Sequence, residues 1–383
     1  MAKHSNSRVN ELGQVVLVFQ GGGALGAYQA GVYQALHEVG IEPDWVIGTS
    51  IGAINAALIA GNAPDDRLER LRSFWKRMEH GHLFETPLGT LLNPMRTMSA
   101  IAAGIPAFFK PNPFAFMSPF TDLGAEAAGY YSTEPLKATL DDLVDFDQLN
   151  HGPMRIAVGA ANVQTSEMHY FDSKHADIDV RHIMASGALP PAFPAVRIDD
   201  ELYWDGGIVS NTPVEAVFDD EPRRNSLVFS VHLWNPHGTE PANIWQVMNR
   251  QKDVQYASRA ASHIRRQRQL HRLRHVINEL GKLVPAQVFK DNNAEDLMHY
   301  ACQTRMHVVR LLAPALDGED HSKDVDFSPS GIRERWEAGY EHTRATLEQA
   351  PWEGTFDPLE GFILHEAMGG ELVDVIGSAK PID

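Results

Sequence analysis

Two apolar runs, each followed at once by glycine and then by a helical pattern, constrain the fold of this chain most. Residues 15–19 (VVLVF) lead into a glycine-rich turn, and residues 45–47 lead into a second turn at residues 48–52. A short uninterrupted apolar run is typical of a strand that is buried on both faces of a parallel sheet. Two consecutive strand–turn–helix units therefore predict a βαβ unit and a mostly parallel sheet.

The same two patterns, short apolar runs and helical spacing of apolar residues, recur along the chain. Further strands are expected at residues 154–163, 202–204, 226–233 and 306–312, and helices at residues 24–37, 67–77 and 136–144. After residue 235 the composition changes to long polar helices. The predicted organisation is a polar N-terminal tail at residues 1–14, a main α/β domain at 15–235 and a mainly helical C-terminal extension at 236–383.

Charge and composition exclude several classes of protein. The 383 residues carry 50 acidic and 33 basic side chains, a formal net charge of −17, and the apolar share of 43% is that of a globular protein. An acidic surface argues against a nucleic-acid binder, because neutralising phosphates needs a basic face. The one cysteine, Cys302, allows no intramolecular disulfide and no cysteine-based zinc site. Because the N-terminus is polar and no apolar run is long enough to span a membrane, we expect a cytoplasmic protein, with at most a peripheral, transient membrane contact.

The glycine loop has two interpretations. Gly21, Gly23 and Gly26 match the GxGxxG spacing of a dinucleotide-binding turn, directly after a strand and at the start of a helix. That interpretation also needs an acidic residue at the end of the second strand, whereas Asp44 precedes that strand. A glycine-rich turn at a helix N-terminus can instead present backbone N–H groups to an oxyanion. With Gly22 included, four glycines in six positions exceed what a tight turn requires, which favours the second interpretation.

Residues 48–52 read Gly-Thr-Ser-Ile-Gly, the GxSxG pattern of a nucleophile elbow between a strand and a helix. Gly48 and Gly52 permit the sharp turn that exposes the Ser50 hydroxyl. The backbone amide of Ile51 can then join the glycine loop in stabilising an oxyanion. The motif therefore predicts Ser50 as a catalytic nucleophile.

The base that would activate this serine has more than one candidate. In the usual hydrolase order an aspartate and then a histidine follow the serine, and His232 and His237 lie downstream. No histidine sits in a marked turn motif, whereas Asp205 begins the run Asp205-Gly206-Gly207. The two glycines would allow the close backbone approach that a catalytic carboxylate needs. A plain Asp-Gly turn is the simpler alternative.

In this order the motifs resemble those of the patatin-like phospholipases. The matching runs are GGGALG at 21–26, GTSIG at 48–52, YFD at 170–172, ASGALPPAFP at 185–194 and DGG at 205–207. The resemblance covers about residues 15–233. It implies a three-layer α/β/α sandwich, and an acyl hydrolase with a Ser–Asp dyad and no catalytic histidine, metal or other cofactor.

Carried over by motif position, the resemblance implies a role for each site residue. Ser50 is the nucleophile, Asp205 the base, and the amides of Gly21, Gly22 and Gly23 the oxyanion hole. Many members carry Arg or Lys where this chain has Leu25, so charge assistance from that position is absent. The expected substrate is a phospholipid or other lipid ester; the alternatives are an esterase for acylglycerols or hydroxyalkanoate oligomers, and a catalytically idle lipid-binding or scaffold protein.

Two segments depart from the acidic background. Residues 97–109 carry no charge, and the aromatic segment 97–120 is either a lid or acyl-chain surface or an ordinary buried loop and helix. Its large apolar side chains are Phe108, Phe109, Phe114, Phe116, Met117 and Phe120. Residues 259–274 include Arg259, Arg265, Arg266, Arg268, Arg272 and Arg274 and no acid. These arginines would dock on anionic phospholipid, or pair with the acidic bulk of the protein or with a partner subunit.

His271 and His275, inside the arginine segment and next to its end, are spaced i, i+4, which suits a metal ion. No glutamate follows His271, and the flanking arginines repel cations, so we expect no metal there. The last third of the chain resembles the C-terminal extension of some bacterial patatin-like proteins. Packing against the catalytic core and formation of a homo-oligomer are both open roles for it.

Overall fold

The computed structural model describes residues 9, 11–80, 104–117, 120, 122–291, 295–316, 319–357, 359–368 and 371–373. Its strands are β1 (Gln14–Phe19), β2 (Trp45–Thr49), β3 (Lys110–Pro111), β4 (Tyr131–Ser132), β5 (Arg155–Asn162), β6 (Met168–Asp172), β7 (Val196–Ile198), β8 (Glu201–Asp205), β9 (Ser226–His232), β10 (Met306–Leu312), β11 (Phe362–Met368) and β12 (Glu371–Val373). Its α-helices are α1 (Ala27–Glu38), α2 (Ile51–Ala60), α3 (Arg67–Met78), α4 (Pro113–Met117), α5 (Glu134–Leu143), α6 (Phe146–His151), α7 (Val180–Ser186), α8 (Glu215–Phe218), α9 (Ile244–Leu283), α10 (Ala286–Asp291) and α11 (Pro329–Gln349).

The main sheet has the strand order β12-β11-β10-β9-β1-β2-β5-β8-β7, and β6 also pairs with β5. Its centre is parallel, because β1 lies between β2 and β9, and β10 and β11 continue the array beyond β9. The antiparallel pairs lie towards the two ends, where β12 pairs with β11, β6 and β8 pair with β5, and β7 pairs with β8. The mostly parallel sheet predicted from the sequence is confirmed.

The middle of this sheet is buried on both faces. In β1, Val15, Leu17 and Phe19 pack into one apolar cluster, while Val16 and Val18 pack into a cluster on the opposite face. The first cluster includes residues of α1, α2 and α3, and the second includes residues of α8 and α9. Helices therefore cover both faces, and the predicted three-layer α/β/α sandwich is confirmed.

The mainly helical C-terminal region is built directly onto the sandwich. A Cβ atom on Gly31 of α1 would lie 2.0 Å from the Trp336 carbonyl oxygen, and one on Gly339 of α11 would lie 2.1 Å from the Tyr28 carbonyl oxygen. The two glycines thus let the backbones of α1 and α11 approach closely. Trp336 Nε1 also donates to Gln34 Oε1 at 2.7 Å. Since β10 and β11 lie parallel beside β9, the C-terminal strands continue the sheet of the preceding residues.

The arginine segment lies in α9, the long polar helix that the composition predicts. Arg265, Arg266 and Arg272 are exposed, and Arg268 pairs with Glu360. The side chain of Arg259 falls outside the described residues. In the part of the chain that the structure describes, no helix combines the length and the apolar character needed to cross a membrane.

Candidate active site

Ser50 occupies the sharp turn between β2 and α2. Its backbone angles are φ 56° and ψ −127°, which a residue other than glycine adopts only when the surrounding structure imposes them. The flanking glycines permit the turn: a Cβ on Gly52 would lie 2.4 Å from the Phe19 carbonyl oxygen, and one on Gly48 would lie 2.2 Å from the Gly52 carbonyl oxygen. The turn has the strained strand-to-helix geometry of a nucleophile elbow.

Ser186 holds the backbone of this elbow in place. The Ser50 N–H donates to Ser186 Oγ at 2.9 Å, and the Ser186 hydroxyl donates to the Gly159 carbonyl oxygen at 2.6 Å. Ser186 is fully buried at the end of α7. Because Gly159 belongs to β5, these two bonds connect the elbow to that neighbouring strand. In the sequence, the only sign of this serine is its place in the loop 185–194 that resembles the family.

Asp205 ends β8 beside Ser50. The residue is only 3% exposed, its carboxylate lies close enough to the Ser50 side chain for the two to interact, and the Gly207 N–H donates to Oδ1 at 2.7 Å. Burial raises the pKa of Asp205 to about 6, although the Ser50 side chain and the hydrogen bond from the Gly207 N–H oppose the shift. A carboxylate with such a pKa is a better proton acceptor than an ordinary aspartate. The two residues that the motifs single out therefore lie beside the same cavity and interact.

The amides of the glycine loop differ in what they bind. The Gly21 N–H donates to the Asn211 carbonyl oxygen at 3.1 Å, so it is not available to an oxyanion. Among the described residues, no acceptor takes the N–H of Gly22, Gly23 or Ile51. All three residues line the same cavity as Ser50. The expectation for Gly21 is corrected accordingly: its amide holds the loop, and the free donors are the other three.

Side chains from distant segments fix this loop. Asn211 Nδ2 donates to the Gly21 carbonyl oxygen at 3.0 Å, and Trp234 Nε1 donates to the same oxygen at 2.8 Å. The Gln20 side chain is fully buried. Its amide nitrogen donates to Thr212 Oγ1 at 2.6 Å, and its amide oxygen accepts from the backbone N–H of Trp234 at 3.1 Å. No motif points to these residues, apart from the position of Asn211 shortly after the Asp-Gly-Gly run.

A cavity of about 350 Å³ is bounded by Ser50, Asp205 and the loop amides. Most of its remaining wall is apolar, and includes Ile54, Ile105, Phe108, Phe109, Tyr131, Leu189, Phe193, Val325 and Phe327. A mainly apolar pocket with a few convergent polar groups is the usual form of a site for an apolar ligand. The reacting group of such a ligand would meet the serine while its chain meets the aromatic wall.

The aromatic segment supplies part of this wall. Phe108 and Phe109 both line the cavity, with ring centroids 5.5 Å apart. Phe193 lies against both, at centroid distances of 6.0 and 5.5 Å respectively. Phe114 and Phe120 are instead 65% and 94% exposed. Residues 97–103 and the side chains of Phe116 and Met117 fall outside the described residues.

The C-terminal region completes the cavity. Asp324, Val325 and Phe327 line it, beside the glycine loop. Lys252 Nζ, on α9, donates to Asp324 Oδ1 at 2.6 Å and to Oδ2 at 2.9 Å, which joins the long helix to this part of the wall. The sequence motifs give these residues no role, because they lie in a region without a recognisable turn motif.

The two histidine candidates lie elsewhere. His232 is fully buried in β9, with Nε2 2.9 Å from Ser230 Oγ. Burial, with the nearby Arg310, lowers the pKa of His232 well below its usual value. His237 is exposed. No histidine is found among the described residues that line the cavity, and Asp205 is the carboxylate whose pKa the Ser50 side chain affects.

Comparison with known proteins identifies the family of this chain. A family model described as patatin-like phospholipase matches residues 17–218, which is more than half of the chain. The chain belongs to the patatin-like phospholipase family. A second model, described as patatin phospholipase, matches residues 254–359, so the C-terminal region also has counterparts among patatin phospholipases. The resemblance inferred from the motifs is confirmed.

Individual relatives of this patatin-like chain are more distant. A segment of 49 residues is 57% identical to lysophospholipase nte1 of Aspergillus terreus, but it covers 13% of this chain and only 3% of that protein. The structure of VipD from Legionella pneumophila has a TM-score of 0.40 and 14% identity, over 88% of this chain and 67% of VipD. ExoU of Pseudomonas aeruginosa, solved in complex with SpcU, has a TM-score of 0.25 and 20% identity, over 59% of this chain and 46% of ExoU.

Proposed function

We propose that this patatin-like protein is a serine acyl hydrolase that cleaves carboxylic ester bonds of lipids through Ser50 and Asp205. The observation that carries the proposal is that Ser50 and the buried Asp205 carboxylate line the same apolar cavity, close enough for the serine side chain to affect the pKa of the carboxylate. The hydroxyl–carboxylate pair suits nucleophilic attack, and the apolar wall suits an acyl chain.

The first half of the reaction forms an acyl-enzyme. Ser50 Oγ attacks the ester carbonyl carbon while Asp205 takes the hydroxyl proton. The negative oxygen of the tetrahedral intermediate accepts hydrogen bonds from the amides of Gly22, Gly23 and Ile51. When the intermediate collapses, the protonated Asp205 returns its proton to the departing alcohol, and the acyl group stays on Ser50.

The second half repeats these steps with water. Asp205 takes a proton from a water molecule as that water attacks the acyl-enzyme, and the same amides hold the oxyanion. Collapse of the intermediate breaks the bond to Ser50 Oγ, which takes back the proton from Asp205. The fatty acid leaves, and both side chains are restored.

Phospholipid or lysophospholipid is the substrate class that the family description and the lysophospholipase relative support. Since these lipids are held in membranes or micelles, the proposal includes a brief contact with a lipid surface. The exposed side chains of Phe114 and Phe120, on the segment that also lines the cavity, support that contact. A cytoplasmic location and a homo-oligomer stay predictions.

A fluorophosphonate probe, which reacts with activated serines, tests the proposal. The wild type should be labelled, and Ser50→Ala should not. Ser166→Ala is the matched control, because Ser166 is another serine with a positive φ, 61°, and lies outside the cavity. Labelling that survives in folded Ser50→Ala, or its absence from the folded wild type, would overturn the proposal.

A lipid panel of phospholipid, lysophospholipid, triacylglycerol and hydroxyalkanoate oligomer then identifies the substrate. Release of fatty acid from either of the first two supports the proposed class. Hydrolysis confined to the last two would replace it with the alternative esterase function. Labelling at Ser50 with no hydrolysis of any lipid would restrict the protein to non-lipid esters.

A further inference from the structure

A second group of reactive side chains lies outside the catalytic cavity, where α9 meets the segment that leads into β10. His271 and His275 stand one turn apart on the helix, and Cys302 approaches them from the segment before the strand. Their exposed fractions are 0%, 7% and 7%. One ring nitrogen of each histidine and the Cys302 sulfur all lie within 4.8 Å of one another. None of the three lines the cavity that contains Ser50.

His271 lacks the partners that a buried imidazole requires. Within the described part of the chain, neither of its ring nitrogens has a hydrogen-bond partner, although the residue is fully buried. Most buried polar atoms in proteins have a hydrogen-bond partner. Two buried ring nitrogens without one therefore indicate that a ligand or a water molecule binds there.

The other two side chains are oriented as metal ligands usually are. His275 Nε2 donates to the Thr304 carbonyl oxygen at 2.9 Å, so its proton is on Nε2 and the lone pair is on Nδ1. Histidine ligands commonly donate their second N–H to a backbone carbonyl in this way. The Thr304 N–H points to Cys302 Sγ at 3.4 Å, and Thr304 Oγ1 lies 2.9 Å from it.

We propose that His271, His275 and Cys302 bind a zinc ion, with the fourth position taken by water or a small ligand. Two neutral imidazoles and a thiolate are a donor set that zinc prefers. Zinc bonds of about 2.0 Å to nitrogen and about 2.3 Å to sulfur place tetrahedral ligand atoms about 3.5 Å apart. A cluster already within 4.8 Å reaches that spacing through small side-chain rotations.

The neighbouring arginines are compatible with this site. Arg223 and Arg274 contribute to lowering the pKa of His271, so the local potential is positive. Arg223, however, is paired with Glu221 at 2.5 Å. Asp219 also lies in the field of both arginines, and a cysteine that binds zinc does so as a thiolate, which would add a further negative charge. The sequence-based expectation of no metal, and of no cysteine-based zinc site, is revised here because Cys302 is brought beside the two histidines only by the fold.

Zinc at this position would join the long helix α9 to the chain that enters β10. Because the ligands come from two segments, an unfolded chain would not present the site as a unit. An ion that binds only the folded state lowers the unfolding equilibrium constant about 100-fold when its free concentration is 100 times its Kd. The proposed role is therefore structural, and it is independent of the ester hydrolysis at Ser50.

Cobalt(II), a spectroscopic substitute for zinc, tests the site in the full-length chain after treatment with chelator under reducing conditions. One equivalent should bind and give a thiolate-to-cobalt charge-transfer band in the near ultraviolet. Since Cys302 is the one cysteine of the sequence, that band reports this site alone. Zinc should displace the cobalt and raise the midpoint of thermal unfolding.

Variants separate the site from adventitious binding. Cys302→Ser should lose the charge-transfer band, and His271→Gln should bind cobalt at least tenfold more weakly. His365→Gln should keep both, because His365 is a buried histidine that pairs with His307 outside the cluster. If a variant fails to fold, the two measurements on the wild type still test the proposal. A wild type with no charge-transfer band and no zinc-dependent rise in the unfolding midpoint would overturn it. A band that persists at full affinity in folded His271→Gln would overturn it as well.

Discussion

Asp324, in the C-terminal region, lies so close to Gly23 of the glycine loop that no side chain fits between them. A Cβ atom on Gly23 would be 2.2 Å from the Asp324 carbonyl oxygen, and the glycine has a φ of +56°. Gly23 falls within the first family match and Asp324 within the second. The two matched regions therefore meet at the loop whose amides we propose as oxyanion donors, and the cavity depends on both.

Gly23→Ala should lower kcat by on the order of 10²-fold or more, because the new methyl group displaces the loop and with it an oxyanion donor. Gly124→Ala is the matched control, since Gly124 has a φ of +73° and nothing within 4 Å of the added atom. The control should lose only about 1 kcal/mol of folding free energy, the usual strain of a left-handed residue, and keep its activity. Ester hydrolysis and urea unfolding of both variants measure these effects. Equal activity in the two variants would contradict the assignment of the loop.

Asp205→Asn should lower kcat by about 10²–10⁴-fold, the usual contribution of a general base. The amide has the size of the carboxylate and can accept the hydrogen bond from the Gly207 N–H, but it cannot take the Ser50 proton. Asp219→Asn, outside the cavity, should leave the rate unchanged. Rates on a soluble ester decide the matter. Full activity of folded Asp205→Asn would remove Asp205 as the base and with it the dyad.

The pH dependence of kcat/KM should follow the titration of Asp205. Burial raises the pKa of Asp205 to about 6, and the carboxylate must be deprotonated to accept the serine proton. The rate should therefore be constant well above pH 6 and fall about tenfold per pH unit below it. A pH profile on a non-ionising ester, corrected for any loss of folded protein, measures this. A plateau that extends down to pH 4 would mean that a group with an ordinary carboxyl pKa acts as the base.

Asp205 should also lower the free energy of unfolding of the wild type above pH 6. The pKa of Asp205 is about 6 in the folded protein and 3.8 for an ordinary aspartate. Between pH 3.8 and pH 6 the folded protein therefore binds more protons than the unfolded chain. The free energy of unfolding falls as the pH rises through this range. The difference between the two pKa values corresponds to about 3 kcal/mol. Asp205→Asn carries no buried charge, so it should be more stable than the wild type at about pH 8, and this gain should vanish towards pH 4. Urea unfolding at both pH values tests this, and a gain that does not change with pH would contradict it.

The parts of the site that the sequence predicts are those encoded in consecutive residues. The GxSxG run specifies the elbow of Ser50, because the strained turn and the close approach of Gly48 to Gly52 involve neighbours along the chain. The roles of Ser186, Gln20 and Asn211 depend on which strands lie side by side, and no local pattern contains the strand order. The correction at Gly21 has the same origin, because its hydrogen-bond partner is brought to it by the fold.

The sequence does not predict what the C-terminal region contributes to the sheet and the cavity, for a related reason. The strand at residues 306–312 is predicted correctly, but that it lies parallel to β9 and so continues the catalytic sheet is a property of the assembled fold. The same assembly carries Asp324 to the glycine loop, and brings Cys302 to the two histidines of α9.

Phe108 should set the preference for acyl-chain length. Its ring lines the cavity and packs against Phe109, Phe193 and Phe327. Phe108→Ala removes apolar surface that a long chain would contact but a short one would not reach. A loss of about 1.4 kcal/mol of apolar contact corresponds to a tenfold lower kcat/KM for a long-chain ester. The rate on a soluble short-chain ester should change little, because the Ser50–Asp205 pair is untouched.

Phe114→Ala is the control from the same segment, because Phe114 is 65% exposed and does not line the cavity. With monomeric esters of increasing chain length it should match the wild type. With phospholipid vesicles it should lower the rate at limiting lipid concentration, since an exposed phenylalanine contributes to contact with the lipid surface. Equal losses on long and short esters in Phe108→Ala would mean that the ring supports the fold of the site and does not contact the acyl chain.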